Sequence, residues 1–182
     1  ILDLGVKENI IRFLENTGCD ISVVPAATSW NSILSLKPDG ILISNGPGDP
    51  MEIPYVVETV RSLIGKKPIL GICLGHQGLG LALGGKTYKL KFGHHGGNQP
   101  VKSLRENRIH ITSQNHNYAL REDFSQDVEI THINLNDGTV EGFSCKKYPA
   151  IGIQFHPEAS PGPSDSNKIF DKFLQLVSDA CC

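Results

Sequence analysis

The segment Gly71-Ile72-Cys73-Leu74-Gly75 constrains this chain more than any other. It lies where a short apolar run, Pro68 to Ile72, gives way to a helical pattern from Leu74 to about Leu83. Glycine two residues either side of a central cysteine is the spacing of the sharp elbow that presents a nucleophile between a strand and a helix. Such a turn forces its central residue into a strained backbone conformation and crowds both flanks, so glycine is needed there. The rest of the first half repeats the strand-then-helix texture. Ile1 to Leu4 predicts a strand closed by Gly5; Ile10, Ile11 and Leu14 recur at helical spacing, and Gly18 is placed to end that helix. Ile21 to Val24 predicts a second buried strand, and Thr28 or Ser29 a cap for a short helix through Leu36. Gly40 to Ser44 predicts a third strand, followed by the loop Asn45-Gly46-Pro47-Gly48-Asp49-Pro50 and a helix from about Ile53 to Ile64.

Apolar strands alternating with helices imply parallel pairing with helices on both sheet faces. From Lys86 to Phe155 the texture changes to alternating stretches such as Ile109-His110-Ile111-Thr112 and Val128-Glu129-Ile130-Thr131, with a turn signal at Asn136-Asp137-Gly138. Mostly antiparallel strands are expected there, ending in the apolar strand Ile151 to Phe155. Ile169, Phe170, Phe173, Leu174 and Val177 predict a last helix, capped by Ser164 or Asp165. The expected fold class is α/β: an open, mostly parallel central sheet flanked by helices, with an antiparallel strand-rich second half, in a single domain over 1–182.

With 17 basic and 19 acidic side chains the net charge is -2, which argues against a nucleic-acid binder held by counterion release. No stretch approaches the ~20 apolar residues of a membrane helix, and no signal peptide opens the chain. Five cysteines, an odd count without metal-ligand spacing, fit a reducing compartment. The expected location is the cytoplasm, the alternative being a mitochondrial parent whose targeting segment lies upstream. Met51 is the only methionine and does not begin the chain, so the sequence reads as a piece of a longer polypeptide.

Cys73 sits at the start of a helix, where the partial positive charge favours thiolate over thiol. Of the seven histidines, His156 is the candidate base. It directly follows a predicted strand, and ligands in α/β sheets gather beyond the carboxyl ends of strands. Glu158 lies two residues on, after Pro157, and an extended segment there would send both side chains to one side, as a carboxylate orienting an imidazole requires. The Asn45–Pro50 loop also leaves a strand end. One of its N–H groups, with that of Leu74, would make an oxyanion hole; the plainer alternative is a Gly-Pro turn. The loop lacks the phosphate-binding pattern, so nucleotide binding finds no support. His94, His95, His110, His116 and His132 form no recognisable ligand set, and no metal is expected. His76, Trp30, Phe170 and Phe173 read as structural.

With these features placed, the sequence resembles the class I (triad) glutamine amidotransferases, and among them the glutaminase domain of carbamoyl phosphate synthetase small subunits. The resemblance runs through Asp3 to Ile10, SNGPGDP (Ser44 to Pro50), GICLGHQ (Gly71 to Gln77), KFGHHGGNQPV (Lys91 to Val101), SQNH (Ser113 to His116) and QFHPEASPGP (Gln154 to Pro163). It implies that Cys73 attacks the side-chain amide of L-glutamine, that His156 moves protons and that Glu158 orients it. It implies oxyanion-hole N–H groups from Gly46 and Leu74, and substrate contacts from Gly48, Gln77, Asn115, Asn117 and Tyr118. Relatives commonly carry glycine where this chain has Asn117. The implied partner is the large, ATP-using synthetase subunit or a fused synthetase domain, receiving ammonia for pyrimidine and arginine synthesis. No cofactor is implied for this domain; ATP and magnesium belong to the partner. The resemblance also implies an N-terminal domain in the parent small subunit, expected to lie outside this piece. The competing readings are a stand-alone γ-glutamyl thiol hydrolase and a catalytically silent regulatory module.

Overall fold

The computed structural model describes residues 1–159 and 168–181. The expected caps Ser164 and Asp165, and the stretch Ser160 to Pro163, lie outside the described residues. The first half contains the strands β1 (Leu2–Asp3), β2 (Val24–Pro25), β3 (Ile41–Ile43) and β4 (Ile69–Ile72). Its helices are α1 (Glu8–Asn16), α2 (Trp30–Ser35), α3 (Pro54–Leu63) and α4 (Leu74–Ala82). The second half adds β5 (Thr87–Ser103), β6 (Arg108–Leu120), β7 (Val128–Asn134), β8 (Val140–Cys145), β9 (Ala150–Ile153) and α5 (Lys168–Cys181).

Among the described residues, the nine strands join one sheet in the order β2-β1-β3-β4-β9-β8-β6-β5-β7. Pairing is parallel from β2 to β9 and antiparallel beyond. β9 is the pivot, parallel to β4 and antiparallel to β8. β7 returns to pair with β8 as well as β5. This is the α/β architecture expected, with its antiparallel second half.

The central strands are apolar on both faces because helices cover both. Side chains alternate along β3 and β4. Ile41, Ile43 and Ile69 face a core with Val56, Val60 and Leu63 of α3 and Leu79 of α4. Leu42, Leu70 and Ile72 face a second core with Ile10 and Leu14 of α1 and Phe170 and Phe173 of α5. Phe13 stacks on Phe170 with ring centroids 4.4 Å apart.

Two expectations need correction, and one alternative is decided. The strand expected over Ile21 to Val24 is shorter and displaced, at Val24–Pro25, and it is not buried: Val24 is half-buried and Pro25 exposed. It is the edge of the sheet, where one side of the strand has no neighbour to bury it. Of the two caps expected for α2, Ser29 is the one used, its hydroxyl accepting from Ser32 N–H at 3.2 Å. Trp30 is only partly buried, packing against the core while Lys66 Nζ lies 5.3 Å from its ring.

Candidate active site

Cys73 is the N-cap of α4 and has φ 53° and ψ −106°, a conformation few residues other than glycine adopt. The flanking glycines are explained by direct collision. A Cβ on Gly71 would lie 2.5 Å from the carbonyl oxygen of Gly75, and one on Gly75 would run into the carbonyls of Ile43 and Ser44. The elbow is therefore locked against the end of β3, with Gly75 N–H donating to Ser44 O at 3.1 Å. Cys73 N–H donates to Ile153 O at 2.9 Å, tying the elbow to β9 as well.

Beyond β9, Phe155 packs into the core and His156 N–H donates to Ser113 O at 2.9 Å. His156 and Glu158 do meet, Nδ1 to Oε1 at 2.7 Å, but not through an extended segment. The stretch is a turn, closed by Ala159 N–H donating to His156 O at 3.2 Å, with Pro157 at the position whose fixed φ suits it. Both side chains are buried. Burial pulls the imidazole's pKa down, but the neighbouring Cys73 sulfur and the Glu158 carboxylate outweigh it and raise His156 to about 9. Burial pushes the Glu158 carboxyl up, yet His156 and then Lys7 hold it below its usual value. Lys7 Nζ lies 3.2 Å from Glu158 Oε1.

Lys7 is the residue the sequence reading missed as part of the site. It follows β1 as His156 follows β9, but nothing in its spacing along the chain pointed to Glu158. The β1–α1 turn is fastened to the glycine loop: Asn45 Nδ2 donates to Gly5 O at 2.9 Å, and Lys7 N–H donates to Asn45 Oδ1 at 3.1 Å. The loop itself needs its glycines for different reasons. Gly46 has no room for a Cβ beside Leu4, whereas Gly48 has ample room but φ 105°. Leu74 is the first residue of α4, so its N–H has no acceptor within the helix.

The other expected contacts lie on α4 and β6. Gln77 Nε2 donates to Tyr118 O at 2.7 Å and to Gln154 Oε1 at 2.9 Å. The Asp49 carboxylate of the glycine loop, close to the Tyr118 hydroxyl, raises the pKa of that phenol. Asn115 is exposed beside His95, Oδ1 to Nδ1 at 2.9 Å. Asn117 is exposed and is not among the residues with positive φ, so it occupies ordinary strand backbone without strain.

His94 and His95 diverge as expected, the first buried and the second exposed. The fold then does what spacing did not reveal: it brings His94, His116 and Glu141 together, with one ligand atom of each within 4.8 Å of the others. Zinc accepts such a donor set. Every ring nitrogen of His94 and His116, however, already has a protein partner. His76 is fully buried against Phe143 and Gly152, the structural position expected.

Comparison with known proteins bears on the family and the fold. The family described as Glutamine amidotransferase class-I matches residues 1–176. The carbamoyl phosphate synthase small chain of Staphylococcus epidermidis is 52% identical over 181 residues, covering 98% of this chain and 50% of the relative. That of Syntrophotalea carbinolica is 54% identical over 176 residues, covering 96% and 47%. The chain thus spans about half the length of these relatives. A crystal structure described as a putative GMP synthase component from Thermoplasma acidophilum superposes with a TM-score of 0.85 at 25% identity, covering 98% of this chain and 92% of the other. A glutamine amidotransferase from Thermotoga maritima shares the fold at a TM-score of 0.68 and 17% identity, covering 96% and 80%. With a family match that spans nearly its whole length, the chain belongs to the class I glutamine amidotransferases.

Proposed function

We propose that this chain hydrolyses L-glutamine to glutamate and ammonia, and that the ammonia serves a synthetase partner making carbamoyl phosphate. The observation that carries the reading is the convergence of Cys73, His156 and Glu158 at one elbow. Cys73 Sγ, as thiolate, attacks the carboxamide carbon, and the N–H groups of Leu74 and Gly46 receive the oxyanion. His156, as imidazolium, gives its proton to the departing nitrogen, which leaves as ammonia. A γ-glutamyl thioester remains. Neutral His156 then takes a proton from water, the hydroxide adds to the thioester carbon, and glutamate and thiolate separate. Glu158 holds the imidazole by Nδ1 throughout. Gly48, Gln77, Asn115, Asn117 and Tyr118 receive the α-amino and α-carboxylate groups.

The relatives are named carbamoyl phosphate synthase small chain, and that name supports a large synthetase subunit, or a fused synthetase domain, as partner. ATP and magnesium belong to that partner, and no cofactor is assigned to this domain. Among the described residues no helix is long and apolar enough to cross a membrane, and Cys19, Cys73 and Cys145 are free thiols. A reducing compartment, the cytoplasm, is the setting proposed.

The test is glutamate release from glutamine by wild type and Cys73→Ser, with and without a synthetase large subunit. Release that depends on Cys73 and rises with the large subunit is the expected result. Release that survives the substitution defeats the assignment. Release indifferent to the large subunit favours a stand-alone hydrolase.

A further inference from the structure

Glu141 is fully buried on β8, yet the chemistry above has no use for it. Burying a carboxylate costs several kcal/mol unless partners compensate. Its partners here lead in one direction. Oε1 accepts from Asn134 Nδ2 at 3.1 Å and lies 3.3 Å from His94 Nδ1. His94 is held at its other end by Asp137, Nε2 to Oδ2 at 2.9 Å. The Gln114 side-chain amide lies 3.1 Å from His94 Nδ1 and 2.8 Å from His116 Nε2. His116 Nδ1 in turn meets Tyr118 O at 2.8 Å, the same carbonyl that accepts from Gln77 Nε2 at 2.7 Å. A second path runs through the backbone: Gln154 N–H donates to Glu141 O at 2.9 Å, and Gln154 Oε1 accepts from Gln77 Nε2.

We infer that Glu141 is a positioning residue for the substrate side of the site, its carboxylate acting through His94, Gln114 and His116 to place the Tyr118 carbonyl that anchors Gln77. This inference rests on the proposed function, which puts Gln77 and Tyr118 against the glutamine's α-substituents. The three strands involved are separate in sequence. β5 and β6 set His94 opposite His116 in register, and β8 brings the carboxylate beneath them. Replacing Glu141 removes the side-chain path and leaves the backbone path through Gln154 intact. The nucleophile is untouched, because Cys73 is held by β4, β9 and the end of β3.

The experiment is saturation labelling of Cys73 in the intact protein by 6-diazo-5-oxo-L-norleucine, which resolves an affinity term, KI, from a chemical term, kinact. Iodoacetamide, which carries no amino-acid head group, reports the thiol alone. For Glu141→Leu, KI is expected to rise about tenfold, the value of a hydrogen bond to a charged group, with kinact and the iodoacetamide rate within about twofold of wild type. Glu141→Gln, which keeps shape and polarity, should recover most of the affinity. Gln114→Leu breaks the same path from β6 and should reproduce the rise in KI, so the inference stays testable if Glu141→Leu fails to fold by circular dichroism. An unchanged KI in the folded variants overturns it, as does an equal loss in kinact and iodoacetamide rate. Absence of saturable labelling in the wild-type protein, with iodoacetamide still reacting, defeats the glutaminase reading itself and this inference with it.

Discussion

Lys7 Nζ lies 3.2 Å from Glu158 Oε1, the same oxygen that His156 Nδ1 approaches at 2.7 Å. One carboxylate oxygen thus serves two cations when the imidazole is charged. The Lys7 side chain is 36% exposed and that of Glu158 fully buried, so the ammonium reaches in from the rim of the site. It helps keep Glu158 ionised, and an ionised Glu158 holds the imidazole. Lys7→Met should therefore lower kcat/KM for glutamine hydrolysis about tenfold, the value of one charge-assisted hydrogen bond. Lys7→Arg should restore part of it. Steady-state glutamate release reads both.

The members of the triad should fail unequally. Cys73→Ser is expected to lower glutamine hydrolysis at least about a thousandfold with an unchanged circular dichroism spectrum, because the reacting atom is lost while the elbow is held by backbone and glycine contacts. His156→Ala should slow thioester formation as well as turnover, since it removes the proton donor to the leaving nitrogen. Glu158→Gln should cost less than either, because the amide keeps a partner for His156 Nδ1 and only the charge is lost. Rapid-quench measurement of acylation and steady-state turnover separates the three.

How much of this was legible in the sequence depended on whether the cause was local. The elbow was, because strain at Cys73 and crowding at Gly71 and Gly75 demand glycine at fixed spacing. His156 and Glu158 were found for a sound reason, position beyond a strand. Their meeting was assigned to the wrong geometry, since Pro157 makes a turn where strand alternation was assumed. Lys7 and the His94–His116–Glu141 group were invisible as sites. Each is assembled by strand register and loop docking between distant segments, and no spacing along the chain encodes that. β2 was misplaced because an apolar run such as Ile21 to Val24 does not reveal whether its strand is central or at an edge.

The buried histidines predict a stability optimum near neutrality. His94 is pulled down by burial but raised by Glu141 and Asp137 to about 9, and His156 is likewise raised to about 9. Both bind a proton more tightly folded than unfolded. Their contribution is complete below 6.5, the ordinary histidine value, and is lost as pH rises through about 9. His76 and His116 are lowered by burial to about 3, and His132 to about 4. Their contribution is complete above 6.5 and is lost as pH falls towards those values. Urea midpoints across pH should pass through a maximum near 6.5 to 7 and fall on both sides. His94→Asn should flatten the alkaline arm and leave the acid arm in place.

Two glycines of the same helix should respond oppositely to one added methyl. Gly75 and Gly78 both lie in α4, and both are buried. A Cβ on Gly75 collides with the carbonyls of Ile43 and Ser44, backbone atoms that cannot rotate away. Gly75→Ala must push α4 off the end of β3, carrying Cys73 with it, at a cost of several kcal/mol in stability and most of the activity. A Cβ on Gly78 meets nothing within 4 Å. There the methyl only removes conformational freedom from the unfolded chain, so Gly78→Ala should add about 0.5–1 kcal/mol with activity unchanged. Denaturant unfolding of the pair, with glutamate release alongside, tests whether the elbow's glycines answer to collision or to helix propensity. Equal effects at the two positions would remove the collision argument.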